Sequence, residues 1–346
     1  MAKLKKYKLG KTILVATLIC VVAAALTFYI FLYAPNTSVS HKSVLYIHTG
    51  SKYEDVLSTL KSESLIKSVF TFKVVAGRMK YSKHIKPGKY ILKPGMGNYK
   101  IVQLLRSGKQ DPVFLIFNNI RTKQEFASRI SLQLEADSVT ILKRLNDNAY
   151  MQKFDLNAEN AMTLFIPNTY QLWWNTTTDD FFERMEKESK RFWDKERLNK
   201  AAALKLKPSQ IIILASIVEK ETNKNDEKPV VAGVYLNRLK KGMLLQADPT
   251  LVYAWKDFTI RRVLNIHKTI NSPYNTYKFK GLPPGPIYLP DSKSIDAVLN
   301  YKHHNYIYFC AKEDFSGYHN FARTPAEHHI NAIRYQKALD AKNIKK

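Results

Sequence analysis

The strongest constraint on this chain is an uncharged apolar run near its N-terminus. From Thr12 to Ala34 the sequence has 23 residues without a charged side chain. As a helix, this run would be about 35 Å long, enough to cross the roughly 30 Å hydrocarbon core of a bilayer. The apolar core of a cleavable signal peptide is shorter, about 7–15 residues. The run therefore predicts a single transmembrane helix over residues 12–34.

The charges around this run predict its orientation. Five lysines and no acidic residue lie in residues 1–11, whereas Lys42 and Lys52 are the first basic residues after the run. Because lysine and arginine accumulate on the cytoplasmic side, we expect residues 1–11 to form a cytoplasmic tail. The rest of the chain then lies outside the cytoplasmic (inner) membrane. The sequence does not distinguish a periplasm from an exposed cell wall.

The exported part is basic and long enough for about two domains. The net charge of the chain is +26, hydrophobic residues make up 45% of it, and it has two cysteines. These values exclude general disorder and a disulfide scaffold. The basic excess favours an anionic surface or polymer, with a solvated surface of no single partner as the alternative. Since the domains are exported and lysine outnumbers arginine 42 to 13, we expect no nucleic-acid partner.

Residue patterns predict an α+β protein with a small first module and a larger second domain. Residues 43–108 give the order strand, helix, helix, strand, followed by a helix, and form an α/β module. Residues 109–346 form a mixed α+β domain whose motif-dense core spans 207–335. Helices are expected over 207–222 and 228–241, a short strand at the start of 243–250, and a final helix in 319–339. Aromatic residues between 170 and 193 are interpreted as packing, with a sugar-binding platform as the alternative.

The helix predicted over residues 207–222 ends in two glutamates. Eight residues from Ile211 to Val218 are apolar or small on every face, which indicates a buried helix. At about 100° per residue, Glu219 and Glu221 point about 200° apart, so only one of them can occupy a given cleft. A carboxyl held against apolar side chains has a raised pKa, as a general acid near neutral pH requires. A solvated helix end is the alternative interpretation of this pair.

Several strings from residue 214 onward carry a resemblance. In chain order they are LASIVEKET (214–222), YLNRL (235–239), LQADPT (245–250), SPYNTY (272–277), GLPPGPI (281–287), HNF (319–321) and EHH (327–329). Together with the anchor, they resemble the YceG-like (MltG) family of membrane-anchored endolytic murein transglycosylases. Each string alone is a weak signal, but the series is specific.

The resemblance implies both a reaction and a role for particular residues. The family cleaves the β-1,4 bond between N-acetylmuramic acid and N-acetylglucosamine inside a glycan strand, without water, leaving a 1,6-anhydro end. Such cleavage would end the elongation of nascent strands. The resemblance places the catalytic glutamate at the first position of EKE, Glu219, and gives Glu221 a supporting or structural role. Whether Glu221 or Asp248 assists Glu219 stays open.

The resemblance also implies an architecture and partners. It makes residues 43–108 a LysM-like wall-binding module and residues 109–346 a YceG-like catalytic domain. The expected partners are peptidoglycan glycan strands, membrane lipid around the transmembrane helix, and a peptidoglycan synthase.

Candidate substrate-binding residues lie in two of the strings. Tyrosine and asparagine side chains can hydrogen-bond sugar hydroxyl and acetamido groups, although a structural role in a rigid loop is an equal alternative. Asp248 could instead be the second carboxylate of a hydrolase, or the N-cap of a helix before Pro249. The candidates are Gln246, Asp248, Tyr274, Asn275 and Tyr277.

Two other functions are compatible with parts of the sequence. A zinc hydrolase could use the histidines of the C-terminal region, which are His303, His304, His319, His328 and His329. It would need a motif such as HExxH, which is missing, and the adjacent His328 and His329 would point about 100° apart on a helix. We therefore expect no metal and no cofactor. A non-catalytic membrane-anchored scaffold that binds peptidoglycan would also use the basic surface.

Overall fold

The computed structural model describes the backbone of residues 2–342 and the side chains of residues 8–342. Met1 and residues 343–346 lie outside the described residues, as do the side chains of residues 2–7. The side chains of Lys3, Lys5 and Lys6, on which part of the orientation prediction depends, are therefore not described. The chain forms two compact units: unit 1 comprises residues 2–114 and 171–176, and unit 2 comprises residues 115–170 and 177–342.

Unit 1 begins with a long helix and continues as strand, helix, helix, strand and helix. Strands β1 and β2 pair antiparallel, with Leu45 opposite Tyr90. Leu45 and Ile47 alternate with exposed or half-buried residues along β1, so one face of this ribbon is buried under the helices. The predicted elements are confirmed here. They are α1 (Ala2–Tyr33), β1 (Ser43–Ile47), α2 (Tyr53–Ser62), α3 (Val69–Arg78), β2 (Gly88–Leu92) and α4 (Asn98–Ser107).

Helix α1 fits a single-pass membrane anchor. Its segment Lys8–Tyr33 is 26 residues long and apolar enough to cross a membrane. Its apolar side chains before Phe31 are exposed, as those of a helix in lipid would be. Its last turn packs against the rest of unit 1, where the Asn98 side-chain amide donates to the Phe31 carbonyl at 2.8 Å. Gly97 permits this approach, because a Cβ there would lie 2.7 Å from the Tyr33 carbonyl oxygen.

The polar segment that follows α1 is folded into unit 1. Asn36 and Thr37 are buried. The Asn36 side chain donates to the Asn98 carbonyl oxygen Oδ1 at 2.6 Å and accepts from the Ser68 amide at 2.8 Å. A short polar side chain can satisfy buried backbone and side-chain groups in this way, so polarity alone did not indicate exposure.

Unit 2 is mostly helical, with two-stranded pairings between β3 and β4 and between β5 and β6. Strands β3 and β4 cross the division between the two units. The remaining elements of the chain are β3 (Val113–Ile116), α5 (Lys123–Ser131), α6 (Ser138–Asn146), α7 (Asn148–Met151), β4 (Thr169–Leu172), α8 (Thr178–Phe192), α9 (Lys195–Ala203), α10 (Pro208–Glu221), α11 (Lys228–Lys240), α12 (Asp248–Trp255), α13 (Ser292–Leu299), β5 (Tyr308–Ala311), β6 (His319–Ala322) and α14 (Pro325–Ala341).

Helix α10 is the central helix of unit 2. Pro208 stands at its first turn, and the Gln210 side chain accepts from the Lys207 amide at 2.9 Å. Every residue from Ile211 to Val218 is buried, as predicted, against α11, α12 and α13. Burial on all faces fixes the helix firmly, so its C-terminal end holds its side chains in defined places.

The aromatic residues between 170 and 193 do not form one cluster. Tyr170, Phe181, Phe182 and Trp193 are buried in unit 2, as the packing interpretation requires. Trp173 is 50% exposed.

One sequence prediction in unit 2 is wrong. Residues 243–247 form no strand, since the Arg238 guanidinium donates to the Leu245 carbonyl at 2.7 Å and Gln246 has a φ of +52°. The predicted final helix is confirmed and begins at Pro325. Before it, residues His319–Ala322 form β6, which pairs antiparallel with β5.

Candidate active site

The end of α10 sends its two glutamates into different surroundings, as the helical angle between them predicted. Glu221 is the last residue of the helix and lies against α11 and the start of α12. Glu219 lies one half-turn earlier, against the residues that begin α13. The two carboxyl groups therefore belong to two separate groups of side chains in unit 2.

Glu221 is held by a buried tyrosine. The Tyr235 hydroxyl, on α11, donates to Glu221 Oε1 at 2.6 Å. Burial raises the pKa of Glu221, the Tyr235 hydrogen bond lowers it and the nearby Asp248 carboxylate raises it, and the net pKa is about 7. The carboxyl is therefore about half protonated at neutral pH, which is the state that a group acting first as acid and then as base needs.

Asp248 is the second carboxyl of this group. It is the first residue of α12, and the N-cap of that helix is Ala247, so the N-cap interpretation of Asp248 is wrong. Its side chain instead accepts a hydrogen bond from the Tyr277 hydroxyl at 2.5 Å. Burial and this carboxylate raise the pKa of Tyr277, so the phenol stays protonated and remains a donor.

The loop from residue 272 to 277 is built around Asn275. This side chain is fully buried and donates to the Lys268 and Ile270 carbonyls at 3.0 and 2.8 Å. Its Oδ1 accepts from the Tyr277 amide at 3.0 Å. All three hydrogen bonds of the Asn275 side chain thus go to backbone groups between residues 268 and 277, and one of them orients Tyr277.

Tyr274 belongs to the same loop and packs outside it. Its ring packs on Tyr253 with 4.7 Å between centroids. The neighbouring Gly285 can have no side chain, because a Cβ there would lie 2.1 Å from the Glu159 carbonyl oxygen and 2.7 Å from the Tyr274 hydroxyl. Close packing of the GLPPGPI segment on Tyr274 therefore shapes this side of the site.

Gln246 and Arg238 complete the group around Glu221. The Gln246 side chain is exposed, and the Gln246 backbone amide donates to the Thr276 carbonyl at 3.0 Å. Arg238 is 7% exposed, and its guanidinium donates to the carbonyls of Leu245 and Ile307, each at 2.7 Å. Its charge lowers the pKa of Glu221. Sequence reasoning did not single out Tyr235 or Arg238, although YLNRL places them three apart on one helix face.

Two cavities in unit 2 share Glu221 and Asp248. One has a volume of about 380 Å³ and the other about 360 Å³. Glu219 is not among the described residues that line either cavity. The smaller cavity is lined by Glu221, Tyr235, Arg238, Leu245, Gln246, Asp248, Tyr277, Tyr308, Phe309 and His328. Of the sequence-predicted candidates, the fold thus brings together Gln246, Asp248 and Tyr277, around Glu221.

Glu219 is engaged with the backbone instead. Its Oε2 accepts from the Asp291 amide at 2.9 Å, and the buried Lys228 ammonium lies 4.0 Å from the same oxygen. The fully buried Ser294 hydroxyl has no acceptor in hydrogen-bond geometry among the described residues, but its proximity lowers the pKa of Glu219. Burial outweighs these effects, so the pKa of Glu219 is raised overall. A raised pKa is therefore common to both glutamates, and access to a cavity distinguishes them.

The histidines considered as zinc ligands are dispersed. His319 pairs with the buried Glu227 at 2.8 Å, His304 contacts the Val230 carbonyl at 2.9 Å, and His328 stacks on Tyr308. In residues 8–342, no three histidine, cysteine, aspartate or glutamate side chains converge in a way that could hold a metal ion.

Comparison with known proteins identifies relatives over most of the chain. The sequence profile of the YceG-like family matches residues 45–334. An endolytic murein transglycosylase of Bacillus subtilis is 30% identical over 322 residues, which are 86% of this chain and 85% of that protein. An endolytic murein transglycosylase of Streptococcus pneumoniae is 26% identical, over 77% of this chain and 53% of that protein.

A solved structure is also similar. The crystal structure of a putative YceG-like protein from Listeria monocytogenes superposes with a TM-score of 0.55 at 26% identity. The match covers 84% of this chain and 99% of that structure.

Proposed function

This chain belongs to the YceG-like family, and we propose that it is an endolytic murein transglycosylase whose acid and base is Glu221. It is a lyase that cuts the N-acetylmuramic acid–β-1,4–N-acetylglucosamine bond and leaves a 1,6-anhydro end. Relatives named for this activity support the reading along 86% and 77% of the chain. They do not favour a non-catalytic scaffold.

One observation carries the assignment of the acid. Of the two glutamates that end α10, Glu221 lines the cavities that also contain Asp248, and one of these includes Tyr277. A general acid must reach the glycosidic oxygen to within about 2.6–3.2 Å, so it has to face the space that the glycan occupies. This proposal departs from the sequence interpretation, which assigned the acid to Glu219.

The proposed reaction needs one carboxyl group. Tyr235 holds Oε1 of Glu221, which leaves Oε2 to face the substrate. In the first step the protonated carboxyl donates its proton to the glycosidic oxygen, and the bond from that oxygen to C1 of muramic acid breaks. In the second step the carboxylate takes the proton of the muramic acid 6-hydroxyl, whose oxygen bonds to C1. Glu221 thus returns to its starting protonation state, and no water is consumed.

Asp248 and Tyr277 act beside this carboxyl. The Asp248 charge raises the pKa of Glu221, which keeps the acid protonated near neutral pH. The Tyr277 phenol and the exposed Gln246 amide are the donors that we assign to sugar hydroxyl or acetamido groups. We assign Tyr274 and Asn275 to the support of this loop, since Tyr274 packs on Tyr253 and the Asn275 amide donates to the Lys268 and Ile270 carbonyls.

Glu219 is proposed as a positioning residue. Its carboxylate holds the Asp291 amide, and Ser216, one turn earlier on α10, accepts from the Ile287 amide at 3.1 Å. Ile287 lines the larger cavity. These two anchors fix the segment 287–291 on α10 and so set one side of the cleft.

We extend the proposal to unit 1 and to the membrane. Residues 43–108 would act as a LysM-like wall-binding module, supported by the strand–helix–helix–strand order and by a cavity of about 610 Å³ lined by Lys42, Lys93, Lys100 and Lys109 among others. Helix α1 would contact membrane lipid and place unit 2 outside the cytoplasmic membrane. A peptidoglycan synthase that extends strands beside it is the proposed partner, testable by crosslinking in membranes.

The function is tested with the full chain in detergent on purified glycan strands, in water enriched in ¹⁸O, by mass spectrometry. Internal fragments with 1,6-anhydro ends and no ¹⁸O are the expected products. Reducing ends that carry ¹⁸O would contradict the proposal and make Glu221 and Asp248 the pair of a hydrolase. Strands that are bound but never cut would favour a scaffold.

A further inference from the structure

A cationic patch lines the larger cavity beside Glu221. The patch consists of Arg121, Lys220, Arg261 and Arg262, which surround a space of about 380 Å³. Glu221 and Asp248 are the two carboxyl groups on the same lining. Neither the Arg261 nor the Arg262 guanidinium makes an ion pair or a hydrogen bond with any residue that the structure describes.

The patch gathers four cationic side chains on a lining that has two carboxyl groups. Partial burial and the neighbouring Arg121 lower the pKa of Lys220 by more than the Glu219 carboxylate raises it, which reports the repulsion between the two cations. The Arg121 guanidinium is held in place, 4.6 Å above the Phe258 ring. Cations brought together in this way favour the arrival of an anionic group.

We propose that the cationic patch binds a carboxylate of the peptide attached to muramic acid, so that the enzyme selects strands that carry stem peptides. Guanidinium groups pair with carboxylates through two parallel hydrogen bonds, which suits Arg261 and Arg262. The apolar part of the same cavity, with Val252 and Ile260, suits the methyl groups of a short alanine-containing peptide. This inference rests on the proposed function, because it assumes a glycan strand in the cleft.

The position of the patch distinguishes two sources of negative charge. A growing strand offers carboxylates on its peptides and a pyrophosphate at the end that is joined to its lipid carrier. Muramic acid recurs at every second sugar, so a peptide lies next to each internal bond, whereas the pyrophosphate lies at one end only. Since the patch shares its cavity with Glu221, an enzyme that cuts internal bonds meets the peptide carboxylate there.

The test compares three substrates with the full chain in detergent. They are glycan strands with stem peptides, the same strands after an amidase has removed the peptides, and strands that keep the lipid pyrophosphate. The variants are the doubles Arg261→Gln with Arg262→Gln and Arg261→Lys with Arg262→Lys. The matched control is Lys256→Gln with Lys280→Gln, which removes two charges from exposed lysines that do not line the cavity.

We expect the preference for peptide-bearing over stripped strands, as a ratio of kcat/KM, to fall about 10-fold or more in the glutamine double variant. The lysine double variant should lose less, and the control should keep the wild-type ratio. An unchanged ratio in the glutamine variant, or a loss confined to lipid-linked strands, would overturn the peptide assignment. Failure of the proposed function would show separately, as no 1,6-anhydro ends from the wild type on any strand. In that case the ratio of the Kd values for peptide-bearing and stripped strands, measured with the same variants, would test the subsite. The glutamine double variant should lose the preference, and an unchanged ratio would overturn the peptide assignment.

Discussion

Glu219 and Glu221 stand two residues apart on one helix, and both have a raised pKa, yet their surroundings differ in kind. Glu219 holds a backbone amide and lies near a buried lysine. Glu221 receives one tyrosine hydroxyl and otherwise faces cavities that it shares with Asp248. Burial alone therefore does not identify a catalytic carboxyl. A carboxyl group is better identified by an oxygen that is not held by the protein and faces accessible space.

The largest expected effect separates the two carboxyl groups by activity. Glu221→Gln removes the proton that leaves with the glycosidic oxygen, so we expect a loss of about 10²–10⁴ in kcat. Glu219→Gln keeps an acceptor for the Asp291 amide, so its kcat should fall by about 10-fold at most. Initial rates of 1,6-anhydro end formation measure both. Equal losses of kcat in the two variants would show that the two glutamates do not differ in catalytic role.

The next effect separates them by stability. Glu219→Ala leaves the Asp291 amide without its acceptor and the Lys228 ammonium without one of its two carboxylates, which should cost about 1–3 kcal/mol. Glu221→Gln should act in the opposite direction at pH 8. Thermal unfolding midpoints of the full chain in detergent report the direction of each shift.

The direction of the stability change in Glu221→Gln follows from the raised pKa of Glu221. The folded state binds the proton more tightly than the unfolded state, whose pKa is ordinary, so stability is lost as the pH rises through about 7. The neutral glutamine removes this loss, and the variant should gain about 1–3 kcal/mol at pH 8 and little at pH 4. A variant destabilised at pH 8 would show that the Glu221 carboxylate is structural.

The smallest effect is a movement of the pH profile. The basic limb of kcat/KM reports loss of the acid's proton in the free enzyme. Tyr235→Phe removes a donor that stabilises the Glu221 carboxylate, so the limb should move up by about half a pH unit or more. Asp248→Asn removes a negative charge that favours the proton, so the limb should move down. Identical profiles in the two variants would contradict the proposed environment of Glu221.

Much of the fold followed from local patterns. Helix α10 was predicted because Pro208 starts it and eight apolar or small residues fill every face, and its period predicted that the glutamates diverge. The ribbon of β1 and β2 and helices α2 to α4 were equally clear. The prediction of a strand near residue 243 was wrong, because the Arg238 side chain, from the preceding helix, donates to the Leu244 and Leu245 carbonyls, which a strand would offer to a neighbouring strand.

The site followed less completely. The sequence singled out Gln246, Asp248 and Tyr277, which the fold does bring together with Glu221. It could not indicate which glutamate they meet, since Tyr277 lies 29 residues from Asp248 in the chain and reaches it only through the loop built on Asn275. The buried Tyr235 that holds Glu221 was hidden within a helix pattern that looked purely structural.

The assignment of the acid to Glu221 can be checked by the pH dependence of cleavage by the Glu219→Gln chain, in which Glu221 is the remaining carboxyl of the pair. We expect fragments with 1,6-anhydro ends and a kcat/KM whose basic limb has its midpoint near pH 7, as we expect for the wild type. Loss of cleavage at every pH in a chain that still folds would contradict this assignment and return the catalytic role to Glu219.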